Sequence, residues 1–300
     1  MKKINVDKVF GAVNIALLLL IAFIMLYPLY FVIIASFSDP YETVLGNVTF
    51  WIKGFTLTCY KQIFKYDEIW IGYRNSIIYT FLGTIFNLVL TIPAAYGLSK
   101  KKLMFRKGIN TYFLIPMIFS GGLLPTFLQI KKMGLYNEPY TMILLGGVSI
   151  YNMIITRTYF TNSIPESLYE AADIDGCSDI KQFIKIALPL AKPIIAVIAL
   201  YYAVGRWNAY FNAMIYLNNK EYYPLQLVLK NILINSQIKI SDLDVTGMDT
   251  DELLYITQLQ YVAQSMKYGI VFVASVPMLI IYPFVQKYFV KGVMVGSIKG

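Results

Sequence analysis

The sequence predicts an all-α membrane protein with six transmembrane helices, and two observations support this. Of its 300 residues, 57% are hydrophobic and only 14% are charged, whereas a soluble domain is about 25% charged. Long uncharged segments also recur along the chain, at lengths near the roughly 20 residues that cross a bilayer. A soluble fold could not keep so much apolar surface out of water, so lipid is the expected solvent.

Each predicted span is built around a long uncharged stretch, except that the fifth contains Arg206. Lys2, Lys3 and Lys8 precede the first span, but its apolar stretch is longer than the 7–15 residues of a signal-peptide core. We therefore expect it to stay as an uncleaved anchor. The predicted spans cover residues 9–35, 75–99, 108–130, 139–160, 193–219 and 262–288.

The orientation of these spans follows from one strongly basic loop. Loops rich in Lys and Arg stay in the cytoplasm, which places the loop between the second and third spans inside. Both termini and the loop 161–192 are then cytoplasmic, and the long polar loop 220–260 is external. The basic residues of the orienting loop are Lys100, Lys101, Lys102, Arg106 and Lys107.

Several classes of function are disfavoured by what the sequence lacks. It has no histidine, the usual general base near neutral pH and the commonest metal ligand. Cys59 and Cys177 form no metal-binding spacing. There is no glycine-rich phosphate-binding loop, and the net charge of +9 comes with no nucleic-acid-binding motif. We expect no catalytic residues, metal or cofactor in this chain, and no nucleic-acid partner.

The cytoplasmic loop 161–192 is predicted to form two short helices joined by a tight turn. Ser163 and Glu166 have the spacing of a capping box at the start of the first helix. Gly176 suits the left-handed position that ends it, Ser178 can cap the second helix, and Pro189 is expected to stop that helix.

The second predicted helix has an apolar face, and the loop as a whole is acidic. The face is formed by Ile180, Phe183, Ile184 and Ala187 at helical spacing. An acidic segment is repelled by the anionic inner leaflet, so a protein partner is expected. The net charge of the loop is −2, because it has three basic and five acidic residues. The acidic residues are Glu166, Glu170, Asp173, Asp175 and Asp179, and the basic ones are Lys181, Lys185 and Lys192.

The segment Glu170-Ala-Ala-Asp-Ile-Asp-Gly176, followed by Phe183, Ile186 and Leu188-Pro189, resembles the EAA loop of ABC importer permeases. It departs from that pattern at Cys177, where the family usually has alanine. The resemblance implies the type I importer permease fold and a helix pair that couples to a cytoplasmic ATPase, which binds ATP and Mg. The coupling residues it implies are Glu170, Ala171, Ala172, Asp175, Gly176, Phe183, Leu188 and Pro189.

Two further segments resemble the maltose-type carbohydrate group and its second permease subunit. They are Arg206-Trp-Asn-Ala-Tyr210 and the C-terminal residues 286–300, and members that import polysaccharide-derived oligosaccharides are the most similar. The resemblance implies a sugar substrate and a second permease subunit, expected to be a different chain. It also implies two cytoplasmic ATPase subunits and an extracellular solute-binding protein, at a bacterial cell membrane.

Polar residues within a span are costly and suggest a function. A substrate path is one interpretation of such residues in the fifth span, and hydrogen bonding between helices with an aromatic anchor is the favoured alternative. In the external loop, residues 222–232 either face the binding protein or form an ordinary solvated loop, and 241–252 are expected to be flexible. The path candidates are Arg206, Trp207, Asn208, Tyr210 and Asn212.

Two other classes of protein stay open. A membrane enzyme would need acids or histidines clustered at a membrane face, and the acidic cluster inside the cell is the one that resembles the coupling loop. A self-contained secondary carrier for a small polar solute would be favoured by inverted repeats with broken helices, and the sequence has no convincing repeat.

Overall fold

The computed structural model describes residues 6–119, 121–241 and 249–297. Every regular element in this part of the chain is helical, which confirms the all-α prediction. A π-helical segment, Phe183–Ala187, joins α10 to α11, and a 3-10 turn, Lys220–Tyr222, precedes α14. The α-helices are α1 Val6–Phe37, α2 Pro40–Val44, α3 Thr58–Ile63, α4 Asp67–Ser99, α5 Arg106–Ile118, α6 Leu123–Lys132, α7 Thr141–Leu144, α8 Ile150–Ser163, α9 Glu166–Ile174, α10 Asp179–Gln182, α11 Leu188–Leu190, α12 Lys192–Trp207, α13 Phe211–Tyr216, α14 Leu225–Ser241 and α15 Thr250–Ser297.

Three helices are long and apolar enough to cross a membrane without a break. They lie in α1, α4 and α15, at Phe10–Phe37, Asp67–Ser99 and Thr250–Pro283. Large apolar side chains of α1 such as Leu19 and Phe23 are 65% and 60% exposed. Lipid is the solvent that such a surface requires, so these helices match the first, second and sixth predicted spans.

The third predicted span is a bent pair of helices, and a second bend lies just before the fifth predicted span. The chain turns by 109° between α5 and α6, and by 79° between the helical segment Asp179–Leu190 and α12. Counting each bent pair as one span gives up to five by length and composition among the described residues. Six spans therefore stay a prediction.

The fourth predicted span, 139–160, is interrupted. Short α7 ends at Leu144, and α8 begins at Ile150 after Ser149, whose hydroxyl accepts a hydrogen bond from the Asn152 amide at 3.4 Å. Gly146 in the gap has a φ of +69°, a left-handed conformation that glycine adopts without a Cβ clash. The polar side chains that satisfy this broken backbone belong to the site described below.

The predicted external loop 220–260 is partly helical and partly buried. Leu225 and Leu227 of α14 are 0% and 2% exposed, so the beginning of the loop is a packed element and the solvated-loop alternative is wrong there. Of the stretch expected to be flexible, residues 242–248 lie outside the described residues, and α15 begins at Thr250.

The chain divides into two compact units. The first comprises the chain to Ile69 together with Leu229–Val276. Within it, the ring of Phe37 lies 5.0 Å from that of Tyr60 and 5.9 Å from that of Phe272.

The second unit comprises Trp70–Val228 and the chain from Pro277 onward. Its main core lies where α4, α8, the π segment and α12 meet. All of the candidate site residues belong to this unit. Buried members of that core include Ile92, Ala95, Tyr96, Phe160, Ala187, Ala191 and Ile198.

Candidate functional site

The helix pair predicted in the loop 161–192 consists of α9 and α10, joined by the tight turn at Gly176. The Gly176 amide donates to the Asp173 carbonyl at 3.1 Å, and the Cys177 amide donates to the Ala172 carbonyl at 2.8 Å. Gly176 has a φ of +67°, as the sequence predicted. These bonds satisfy carbonyls that the end of α9 would otherwise leave unpaired.

Three details of this pair differ from prediction. Ser163 ends α8, and Pro165 takes the cap position of α9 without a side-chain bond, so the capping box with Glu166 is wrong. Ser178 does precede α10, but its hydroxyl makes no capping hydrogen bond. Pro189 does not stop the helix, because proline is tolerated in the first turn of α11 and the bend comes after Leu190.

The predicted apolar face of the second helix is also wrong. Phe183 and Ala187 pack into the core of the unit, whereas Ile180 is 73% and Ile184 55% exposed. The split follows the four-residue spacing of the helix surface, with Phe183 and Ala187 on one row and Ile180 and Ile184 on the next. Together with Ile174, which is 86% exposed, Ile180 and Ile184 form what we call the exposed isoleucine set.

The residues implied by the EAA resemblance divide into an outer and an inner group. The outer ones are exposed, and among the inner ones Ala172 is 8% exposed and its methyl group faces the packed interior. The helix pair thus has one packed side and one side open to a partner. The outer group is Glu170, Ala171, Asp175, Gly176 and Pro189, and the inner group is Ala172, Phe183 and Leu188.

Cations from the loop after α4 anchor the helix pair. The Lys100 ammonium lies 3.6 Å from the centre of the Tyr169 ring and donates to the Gln182 side chain at 3.1 Å. Lys101 pairs with Glu166, and Lys102 pairs with Asp173 at 2.8 Å. From the sequence, these lysines indicated only the orientation of the chain.

Gln182 is the centre of this anchor, and no pattern in the sequence indicated it. Its side chain is 1% exposed and donates to the Asp173 carboxylate at 2.6 Å and to the Cys177 carbonyl at 3.1 Å. Hydrogen bonds from Lys102 and Gln182 lower the pKa of the Asp173 carboxyl. Because that pKa is lowered, the contribution of the carboxylate is present at neutral pH and is lost only on acidification.

A second cluster surrounds Arg206 of α12. Its guanidinium donates to the side-chain Oδ1 of Asn87 at 3.0 Å, to the backbone carbonyl of Ile143 at 3.0 Å and to the backbone carbonyl of Met142. The amide of Asn87 in turn donates to the carbonyls of Gly146 and Gly147, both at 2.7 Å. Unpaired backbone groups are costly in a membrane, and this pair satisfies four of them where the fourth predicted span is broken.

A cavity of about 320 Å³ lies beside this cluster. Arg206 and Asn212 line it, but the other three predicted path residues do not. Trp207 is 2% exposed, with its ring 6.3 Å from that of Tyr73. The exposed side chain of Asn208 donates to the carbonyl of Val204 in its own helix at 3.0 Å. The fifth candidate, Tyr210, is exposed after the end of α12.

The sequence interpretation missed several polar residues that line the same cavity. Asn152 and Ser149 lie in the fourth predicted span, and Asn87 and Ser76 lie in the second. Polar residues inside predicted spans are a general signal of function, and applying it to every span would have found them. Polar or aromatic lining residues missed from the sequence are Ser76, Tyr79, Asn87, Ser149, Asn152, Tyr201 and Tyr202.

Gly83 of α4 leaves room for the Arg206 side chain, which yields a prediction. A Cβ at Gly83 would lie 2.8 Å from Arg206 Nε and 2.9 Å from its Cζ, and the hydrogen bonds of the guanidinium prevent it from moving aside. We expect Gly83→Ala to destabilise the protein by about 1–3 kcal/mol through overpacking, measured as thermal unfolding in detergent.

The matched control for Gly83→Ala is Gly97→Ala in the same helix, because a Cβ there would meet no atom within 4 Å. Replacing an unhindered helical glycine by alanine should be neutral or stabilise by up to about 1 kcal/mol. Equal unfolding temperatures for the two variants would contradict the close contact with Arg206.

Comparison with known proteins agrees with this architecture. The family model described as the binding-protein-dependent transport system inner membrane component matches residues 69–295. The chain is 37% identical over 294 residues to the polygalacturonan/rhamnogalacturonan transport system permease protein YtcP of Bacillus subtilis, covering 98% of this chain and 99% of that one. It is 36% identical over 300 residues to the protein LplC of the same organism, covering 100% and 98%.

A solved structure extends the likeness to three dimensions. This is a chain of a bacterial ABC transporter involved in the import of the acidic polysaccharide alginate, with a TM-score of 0.81 and 30% identity over 96% of this chain and 99% of that one. The fold prediction is thereby confirmed. The chain belongs to the family of binding-protein-dependent transport system inner membrane components, and it is a permease subunit of an ABC importer.

Proposed function

We propose that this permease forms one half of a sugar path through a bacterial cell membrane and is driven by a separate cytoplasmic ATPase. The observation that carries the proposal is the helix pair α9–α10, which is anchored on one side and presents three exposed isoleucines on the other. An apolar set on an otherwise acidic cytoplasmic loop is typical of a surface that a partner protein covers.

The ATPase is proposed as the partner of this surface. The sequence has no phosphate-binding loop of its own, so ATP and Mg would be held by the partner. The exposed isoleucine set would be buried in the ATPase, with Glu170 and Asp175 at its polar edge. Because the lysines 100–102 tie the helix pair to the end of α4, a displacement of the pair by the ATPase would be passed to the membrane helices.

The wider assembly follows from the proposed role. It would consist of two ATPase subunits, a second permease that is a different chain, and an external solute-binding protein. Both termini would be cytoplasmic, as the basic loop after α4 indicates. The exposed residues near Lys220–Tyr222 would then lie outside, on the side of the binding protein.

An oligosaccharide is the proposed substrate. One relative is named for polygalacturonan/rhamnogalacturonan transport and the solved structure for import of the acidic polysaccharide alginate. The cavity beside Arg206 offers amides, hydroxyls and aromatic rings. Sugars present both hydroxyl groups and apolar faces, and lining groups of this mixed kind suit them. Asn212, Asn152 and Tyr201 are the residues that we propose to contact the passing sugar.

The test is to purify the tagged chain from its native membranes and identify what is retained, comparing the wild type with Ile180→Asp/Ile184→Asp. We expect the wild type to retain an ATPase and a second permease. The variant should lose at least about nine-tenths of the ATPase, since burying two carboxylates without partners costs several kcal/mol, and it should keep the second permease.

The matched control is Ile180→Leu/Ile184→Leu, which keeps the surface apolar and should retain the ATPase. A chain that carries labelled oligosaccharide across vesicles without any ATPase would revive the secondary carrier and overturn the proposal. Retention of the ATPase by the aspartate variant would instead place the coupling surface elsewhere on the chain.

A further inference from the structure

A basic depression and an apolar cleft adjoin each other between α5 and α8. The depression measures about 590 Å³ and is lined by Lys101, Arg106, Lys107 and Arg157. The cleft measures about 150 Å³. Asn110 and Arg157 line both cavities, so the two lie on either side of these side chains.

The charges of the depression are poorly compensated within the described residues. Arg106 and Lys107 occupy the first turn of α5, which has no acidic residue there and no side-chain cap. The positive end of a helix dipole favours anions and repels cations, so two cations at this position are unfavourable unless an anion joins them. Lys101 pairs with Glu166, which leaves Arg106, Lys107 and Arg157 as the net charge.

The Arg157 side chain is held by a hydrogen bond at Nη1, but its Nε donor has no acceptor in the part of the chain that the structure describes. Its Nη1 donates to the Asn110 side-chain oxygen at 2.6 Å, and the Asn110 amide donates to the Arg106 carbonyl at 2.8 Å. Its Nε is buried and has no hydrogen-bond partner among the described residues. Burying part of a guanidinium without an acceptor is costly, and a negative group in the depression would lower that cost.

The adjoining cleft has the opposite character. Apart from Asn110 and Arg157 it is lined by hydrocarbon, and its lining residues lie on helices of the second, third and fourth predicted spans. Its apolar lining consists of Leu98, Phe113, Leu114, Met153 and Ile154. The cleft is therefore suited to an alkyl chain rather than to water.

We propose that these two cavities form a binding site for an anionic phospholipid. The phosphate would lie among Arg106, Lys107 and Arg157, and one acyl chain would enter the cleft beside Leu114. Basic pockets between membrane helices suit anionic headgroups. The tendency of cytoplasmic loops to be basic accounts for cations in the loop, but not for a half-buried arginine with a buried, unpartnered Nε beside an apolar cleft.

Free phosphate shares the headgroup chemistry, but the apolar cleft favours the lipid. The binding of the lipid does not depend on how the chain is oriented. Placing the bound lipid in the inner leaflet rests on the proposed function. The lipid site and the proposed function can therefore fail in separate experiments.

The experiment is native mass spectrometry of the intact purified complex, titrated with phosphatidylglycerol or with phosphatidylcholine of the same chain length. We expect a clear preference for phosphatidylglycerol. In Arg106→Gln/Lys107→Gln the affinity for phosphatidylglycerol should fall about 25-fold, because each basic residue near an anionic surface contributes roughly a factor of five. The affinity for phosphatidylcholine should change little.

The matched control is Lys131→Gln/Lys132→Gln, which removes the same charge at the end of α6 and should keep the preference. Inorganic phosphate at millimolar concentration forms the second arm. Equal binding of both lipids by the wild type would overturn the proposal, as would equal losses in the two double variants. Full displacement of phosphatidylglycerol by phosphate would identify a free-anion site and also overturn it.

Discussion

Replacing Gly176 by valine is expected to separate the permease from its ATPase while leaving the membrane part intact. Gly176 has a φ of +67°, and a Cβ there would meet no atom within 4 Å. The backbone conformation is therefore the obstacle, because a left-handed residue with a side chain costs roughly 1–2 kcal/mol and a β-branched one more. Relaxing this strain means opening the turn, which moves Ile180 away from Ile174.

We expect sugar-stimulated ATP hydrolysis by the Gly176→Val complex to fall about tenfold or more, since 1.4 kcal/mol corresponds to a factor of ten. The matched control is Gly134→Val, whose φ of +72° and open surroundings impose the same strain after α6. That variant should keep its activity within about twofold. Equal losses in both variants would indicate general misfolding and would count against a coupling role for the turn.

The existence of the membrane helices was predictable because their cause is local. Long uncharged stretches need lipid, so α1, α4 and α15 follow from composition alone. The turn at Gly176 was predictable for the same reason, since few residues other than glycine suit a left-handed helix end.

The interruptions could not be predicted because distant residues stabilise them. The break between α7 and α8 persists because Asn87 and Arg206, from two other helices, pair with its carbonyls. The sequence shows an apolar stretch with two glycines, which is equally compatible with a continuous helix. Hydropathy measures the transfer of side chains into lipid and carries no information about which backbone groups find partners.

In the candidate site too, the locally determined features were predictable and those that depend on distant residues were not. The spacing of the EAA-like segment identified the hairpin, but it did not show that Phe183 and Ala187 pack inward while Ile180 and Ile184 face outward. For Arg206 in the fifth span, the sequence favoured hydrogen bonding between helices, here called a brace, over a substrate path, but it did not show which groups the guanidinium would bind. The hydrogen bonds of the Arg206 guanidinium support the brace. The cavity that Arg206 lines is compatible with the substrate path.

Arg206→Met should destabilise the permease by at least about 2 kcal/mol. Methionine fills a similar volume, but it leaves the backbone carbonyls of Met142 and Ile143 and the side-chain oxygen of Asn87 without their donor. Each buried acceptor left unpaired costs roughly 1–3 kcal/mol, and lipid offers no water to replace the arginine. The stability of Arg206→Lys should lie between those of the wild type and Arg206→Met, because an ammonium keeps the charge but cannot reproduce the planar fork of donors.

Thermal unfolding of the purified complex, measured beside oligosaccharide uptake, separates the brace from the path. Asn208→Leu is the control, because its exposed side chain makes one bond within its own helix and its loss should cost less than about 0.5 kcal/mol. A brace predicts that stability and uptake fall together in Arg206→Met. An Arg206→Met complex that unfolds like the wild type but no longer takes up sugar would show instead that the guanidinium acts on the substrate, because the broken span would then be stable without it.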